Sequence, residues 1–192
     1  MKIGILALQG AFLEHSIMLR HLGVKAAEVR LPSELNDLDG LIIPGGESTT
    51  ISRLMKDYGL YEPIKKYASR DFPIFGTCAG MILLAKKAGD LPLEPLGILG
   101  IEVQRNAFGR QKDSFETSLS IPAIGGEETF PGVFIRAPII DKVEPGVMVL
   151  CQLNGGTPVA VRQKKVLACA FHPELTDDPR FHAYFLQMVK EK

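Results

Sequence analysis

A chain of 192 residues with 46% hydrophobic, 23% charged and 7% aromatic residues has the usage of one folded domain spanning 1–192, not of a disordered polymer. Its 22 Lys plus Arg balance its 22 Asp plus Glu, so no net field draws in nucleic acid or an anionic membrane, and no apolar run reaches the roughly 18 residues a membrane helix needs. Three widely spaced cysteines, Cys78, Cys151 and Cys169, form no C-x-x-C pair; that argues against a disulfide framework or a zinc knuckle and for a reducing, cytoplasmic setting.

In chain order, Lys2 to Leu8 is a nearly continuous apolar run. It reads as a buried strand and not as a signal peptide, because Gln9 ends it early and no small-residue cleavage site follows. Ala11 to Leu22 predicts a helix, with Leu13, Ile17 and Leu22 near helical spacing. Gly40 to Pro44 is a second strand ending in Gly45-Gly46, and a helix opens at Glu47 among hydroxyl residues. Pro73 to Thr77 is a third strand, followed by a largely buried helix over Ala79 to Lys86. Strands that are apolar on both faces and alternate with helices predict a mostly parallel sheet covered on each side.

Beyond about residue 97 the sequence becomes strand-rich. Ile98 to Gln104, Phe115 to Ile121, Gly132 to Arg136, Val147 to Leu153, Pro158 to Arg162 and Val166 to Phe171 all read as strands. A last amphipathic helix is expected from Asp178, with Pro179 at its first position and Phe181, Phe185 and Met188 on one face. The loop from Gly125 to Thr129 reads as a mobile insertion.

The most informative segment is Gly76-Thr-Cys78-Ala-Gly80, between a buried strand and an apolar helix. A nucleophile on a sharp strand-to-helix turn needs small neighbours two residues away on each side, and the amide groups that open a helix favour an anion such as a thiolate. The alternative is a small, buried, inert cysteine. Of the four histidines, His15, His21 and His182 fall in helices where an exposed or helix-packing histidine is routine. His172 instead ends a strand and is followed by Pro173 and Glu174, so a turn could bring the carboxylate onto the imidazole as base and orienter. A solvated strand-end turn is the bland alternative. Pro44-Gly45-Gly46-Glu47-Ser48 could aim an amide at a developing oxyanion, as could the amide of Ala79. The loop lacks the lysine of a Walker sequence, and the chain has no G-x-G-x-x-G, which disfavours nucleotide binding. Cys151 and Cys169, within apolar strands, read as structural. Arg105 and Arg136 fit either a surface charge or a bidentate partner for a substrate carboxylate.

Pro-Gly-Gly-Glu-Ser at 44–48, Gly-Thr-Cys-Ala-Gly at 76–80 and His-Pro-Glu at 172–174 together resemble the triad-type (class I) glutamine amidotransferases. Ala-Leu-Gln-Gly-Ala (7–11), Arg-Asn-Ala-Phe-Gly-Arg-Gln (105–111), Asp-Ser-Phe-Glu (113–116) and Phe-Ile-Arg-Ala-Pro (134–138) extend the likeness to the family of glutaminase subunits of pyridoxal 5′-phosphate synthase. The resemblance implies a flavodoxin-like three-layer α/β/α sandwich, with a mostly parallel central sheet and additional antiparallel strands in the second half. It implies that Cys78 forms a glutamyl thioester with L-glutamine, that His172 is acid and base, and that Glu174 orients it. The amides of Gly46 and Ala79 would form the oxyanion hole, and Gly46, Glu47, Ser48, Arg105, Ile135 and Arg136 would hold the glutamine. No metal or cofactor is implied; ammonia would pass to a separate synthase subunit in a hetero-oligomeric complex. Gln9 and Gly10 are expected near the oxyanion loop. Two rivals remain at this point, the glutaminase of another pathway such as histidine biosynthesis, and a non-catalytic regulatory domain on the same fold.

Overall fold

The strands at the centre of this protein are those whose residues are apolar on both faces. The computed structural model describes residues 1–89, 94–105, 114–126 and 128–191. The first half runs β1 (Lys2–Leu6), α1 (Phe12–His21), β2 (Lys25–Val29), β3 (Gly40–Ile43), α2 (Ser48–Asp57), α3 (Tyr61–Ala68), β4 (Ile74–Thr77) and α4 (Ala79–Leu84). The second half runs β5 (Ala85–Lys87), β6 (Leu99–Gln104), β7 (Ser114–Leu119), β8 (Phe130–Ile135), β9 (Ile139–Val143), β10 (Met148–Gln152), β11 (Pro158–Gln163), β12 (Val166–Cys169) and α5 (Arg180–Lys190).

A seven-stranded sheet has the order β10-β11-β12-β4-β3-β1-β2. Its strands from β12 to β2 are parallel, and β11 and β10 extend it antiparallel. The parallel part, read in chain order, is the 2-1-3-4-5 arrangement of flavodoxin-like folds, in which sites form beyond the carboxyl ends of the strands. β1 leads to β2 on one side and β3 leads to β4 on the other, so right-handed crossovers put α1 on one face and α2 and α3 on the opposite one. The packing agrees: α2 lies against α3 and α4, whereas α1 meets α5 through the rings of His15 and His182, 5.1 Å apart. Two small sheets, β5-β6-β9 and the β7-β8 hairpin, complete the second half.

Register positions the site. β12 pairs Cys169 with Thr77 of β4, and β3 pairs Ile43 with Gly76, so the segments after all three strands leave the sheet side by side. Beneath them Phe75, Phe130, Phe171, Phe181 and Phe185 are fully buried, with neighbouring ring centroids 5.2–5.9 Å apart. Burying each such side chain contributes on the order of 1.5–3 kcal/mol, which anchors Phe171 and the residues after it.

All six strand-like segments of the second half are strands. Four elements were not expected: β2, α3, β5 and β9. The helix expected to reach Lys86 stops at Leu84, where Ala85 turns into β5. In α1 the expected apolar face is wrong, since Leu13 and Ile17 are exposed while His15, Ser16, Met18 and Leu19 are buried. In the loop expected to be mobile, the Arg180 guanidinium donates to the carbonyls of Gly125, Glu128 and Thr129 at 2.9–3.4 Å, residue 127 lying outside the described residues.

Candidate active site

Cys78 sits between β4 and α4 at φ 48° and ψ −103°, a left-handed backbone that an L-residue adopts at a cost on the order of 1–3 kcal/mol. Its own N–H donates to the Cys169 carbonyl at 2.8 Å, so β12 holds the strained turn in place. The flanking glycines make that turn possible. A Cβ on Gly80 would lie 2.0 Å from the Ile43 carbonyl oxygen, and one on Gly76 would lie 2.7 Å from the Gly80 carbonyl carbon.

His172 follows fully buried Phe171, and its N–H donates to Val133 of β8 at 2.8 Å. Pro173 opens a 3-10 turn over Pro173–Leu175 that brings Glu174 back beneath the ring, where Oε1 accepts from His172 Nδ1–H at 2.7 Å. The ring also lies beside Cys78: a single Cβ placed on Gly45 would be 2.4 Å from His172 Cε1 and 3.4 Å from Cys78 Cβ. Burial works to lower the His172 pKa, but the hydrogen bonds and charges of Cys78 and Glu174 outweigh it and push the value up to about 10. Burial would raise the Glu174 pKa, yet His15 and the bond from His172 hold it below the ordinary carboxylate value. Cys78, His172 and Glu174 are each only 6–7% exposed.

The loop after β3 packs directly on this group. A Cβ on Gly45 would lie 2.4 Å from His172 Cε1, so only glycine allows the approach. The Gly45 N–H donates to Thr77 Oγ1 at 3.0 Å, and the Ala11 N–H donates to the Gly45 carbonyl at 3.0 Å. Gln9 Oε1 accepts from the Glu47 N–H at 2.8 Å, so Gln9 and Gly10 do lie against the loop. Gly46 is exposed at its crest. The Glu47 carboxylate caps α2, accepting from the N–H groups of Thr49 and Thr50 at 3.2 and 2.6 Å. Slight burial opposes its ionisation, but these bonds dominate and lower its pKa to about 2. Arg105, at the end of β6, reaches the same carboxylate at 3.4 Å. Ser48 is buried, and its hydroxyl has no hydrogen-bond partner among the described residues.

β8 closes the other side, with the Ile135 carbonyl 3.8 Å from Cys78 Sγ. Ile135 itself is partly exposed, and Arg136 follows at φ 44° with no ion pair among the described residues. Ala79 opens α4 directly after the sulfur-bearing residue. Cys151 and Cys169 are buried, and burial raises both thiols, Cys151 to about 11. Residues 106–111 and 113, within two of the blocks that carry the sequence resemblance, lie outside the described residues. Among the described residues no group of three or more His, Cys, Asp or Glu is arranged to hold a metal ion, and no helix is long and apolar enough to cross a membrane.

Two histidines read from the sequence as routine belong to this neighbourhood. His15 and His182 are fully buried: His15 Nδ1 lies 2.9 Å from His182 Nε2, and His15 Nε2 lies 3.2 Å from Thr77 Oγ1 and 3.5 Å from Glu174 Oε2. A signal was available. His15, Met18, Leu19 and Leu22 share a helical stripe, and His182 falls between Phe181 and Phe185 on the apolar arc of α5.

The model of the SNO glutamine amidotransferase family matches residues 5–191. A relative in Dehalococcoides mccartyi named pyridoxal 5′-phosphate synthase subunit PdxT is 56% identical over 192 residues, covering 99% of this chain and 98% of that protein. A protein of the same name in Herpetosiphon aurantiacus is 56% identical over 189 residues, covering 97% and 99%. A crystal structure described as a glutamine amidotransferase superposes with a TM-score of 0.92 at 50% identity, covering 98% of this chain and 99% of the other.

Proposed function

The chain belongs to the SNO glutamine amidotransferase family, and from that premise we propose that it hydrolyses L-glutamine to L-glutamate and ammonia and delivers the ammonia to the synthase subunit of pyridoxal 5′-phosphate synthase. The observation that carries this reading is a cysteine at positive φ beside an imidazole that is backed by a buried carboxylate. A regulatory domain would have no use for so strained a turn. The whole chain, 1–192, would act as one glutamine amidotransferase domain in the cytoplasm, where its three unpaired thiols stay reduced.

His172, whose pKa is pushed up to about 10, holds a proton beside Cys78. The Cys78 sulfur attacks the carboxamide carbon, and the amides of Gly46 and Ala79 take the developing oxyanion, each such donor being worth about 2.7–4 kcal/mol. His172 gives its proton to the amide nitrogen, ammonia departs and a glutamyl thioester remains. Neutral His172 then takes a proton from water as the oxygen attacks the thioester carbon; glutamate leaves, and sulfur and imidazolium are restored. Glu174 keeps Nδ1 protonated and the ring aligned throughout. Gly46, Glu47, Ser48, Arg105, Ile135 and Arg136 would hold the glutamine, with the Ser48 hydroxyl and the Arg136 guanidinium as groups without a partner among the described residues. Free ammonia is mostly protonated in neutral water, so a dry path into a docked synthase keeps it nucleophilic.

Glutamine hydrolysis measured with and without the synthase subunit tests the assignment. The synthase should stimulate turnover, a glutamine-like electrophile should label Cys78, and Cys78→Ala should abolish turnover while leaving the melting temperature nearly unchanged. Substantial hydrolysis by Cys78→Ala would overturn the mechanism. Stimulation by the synthase of a different pathway would overturn the partner.

A further inference from the structure

Each oxygen of a buried carboxylate needs a donor if it is to stay ionised. Glu174 Oε1 has one in His172 Nδ1–H. Glu174 Oε2 is buried with no settled hydrogen bond, and His15 Nε2 is 3.5 Å away. We propose that His15 is a positioning residue of the glutaminase site: its Nε2–H is the second donor to Glu174, and His182 fixes it in that tautomer. The inference rests on the function proposed above and extends it to a residue outside the triad.

Hydrogen-bond accounting selects the tautomer. Burial lowers the pKa of His15 more strongly than Glu174 raises it, so the ring is neutral and carries one proton. Were that proton on Nδ1, it would point at His182 Nε2, and His182 would have to carry its own proton on Nδ1. That nitrogen is buried without a partner, and a stranded N–H costs about 1–3 kcal/mol. The bare His15 Nε2 would also face the carboxylate lone pair to lone pair. With the proton on Nε2 both problems vanish: His182 Nε2–H donates to His15 Nδ1 at 2.9 Å, and His15 Nε2–H lies between Thr77 Oγ1 and Glu174 Oε2; the Thr77 hydroxyl hydrogen then lacks an acceptor among the described residues, a cost outweighed by a donor facing a charged carboxylate. Thr77 Oγ1 also accepts from the Gly45 N–H, so one ring braces both the orienting carboxylate and the glycine loop. The 3.5 Å separation is long, in keeping with catalytic contacts that shorten once substrate is bound.

Among the described residues, the charged and titratable groups around Glu174 are His172 on its own turn, His15 and Glu14 from α1, Cys78 ahead of α4, Cys169 on β12 and His182 on α5, with His21 and Asp177 lining the same cleft. Of these, His15 is the neutral donor that a substitution can remove without touching the sulfur or its base.

The first test is nitrogen NMR of the full-length protein with labelled histidine. His15 and His182 should both be neutral and protonated at Nε2 at pH 7; a proton on His15 Nδ1 would overturn the proposal whatever the activity. The second compares His15→Gln, whose amide nitrogen reaches the place of Nε2, with His15→Asn, which stops at the place of Nδ1. With the synthase subunit present, the Gln variant should keep kcat within about threefold, whereas the Asn variant loses about tenfold or more. Both should keep KM within about twofold, and the acid limb of the Asn profile should move to higher pH as Glu174 protonates more easily. Equal kcat in the two variants, or an effect on KM alone, would overturn the proposal. Wild-type protein that fails to hydrolyse glutamine would instead defeat the functional reading, leaving the NMR result to judge the geometry of His15.

Discussion

At residue scale, steric closeness around Cys78 decides what the site tolerates. Gly80→Ala would drive a methyl group to 2.0 Å from the Ile43 carbonyl, which neither backbone can accommodate in place. A loss of about 2 kcal/mol or more in urea denaturation is expected, together with near loss of turnover, because α4 must shift and carry Ala79 with it. A fully stable, active Gly80→Ala would show that the turn is looser than its contacts imply. This residue-level logic was readable in advance: Gly76, Cys78, Gly80, His172 and Glu174 declare themselves through chemistry that depends on neighbours in sequence. His15 did not, because its importance comes from three residues far away in the chain, Thr77, Glu174 and His182, which only the assembled sheet brings to it.

At element scale, α2 starts where Glu47 caps it, and that cap also receives Arg105. Glu47→Ala should cost about 1 kcal/mol of stability, read as a lower urea midpoint, with most of it recovered in Glu47→Asp. If neither variant changes stability, the cap contributes nothing and the carboxylate is free for other work. Buried strands such as β3, β4 and β12 were legible because every position but Thr77 is apolar. β2 was not, since Lys25 and Glu28 interrupt it as suits the edge of a sheet, and β9 carries Asp141 and Lys142 side by side, which breaks the period-2 pattern of a strand. α1 misled for a different reason: two apolar stripes exist on that helix, and the one that turns inward contains a histidine.

At the scale of the whole molecule, three buried histidines set opposing pH dependences. His15 and His182 have folded pKa values below the ordinary 6.5, His182 at about 3, because burial disfavours the charged ring. The unfolded chain therefore binds more protons below 6.5, and stability falls as pH drops through that range. His172 has the reverse sign. With its folded pKa raised to about 10, its contribution is complete below 6.5 and is lost as pH climbs toward 10. Each group supplies a slope of up to about 1.4 kcal/mol per pH unit. Urea midpoints should therefore peak near pH 6.5, with a flatter acid limb in His182→Phe. A midpoint that rises from pH 7 to 9 would contradict the raised His172 pKa.

The position of β12 in the sheet also orders events at the ribosome. β4 and the thiol that follows it emerge early, with β3 as the one sheet neighbour then available, and the vacancy beside β4 fills only when β12 arrives from late in the chain. The same late stretch supplies the imidazole, the carboxylate beneath it and the ring that braces His15. On the proposed mechanism a half-made chain would carry a nucleophile without a base, and it would consume no glutamine before translation of the fold is nearly done.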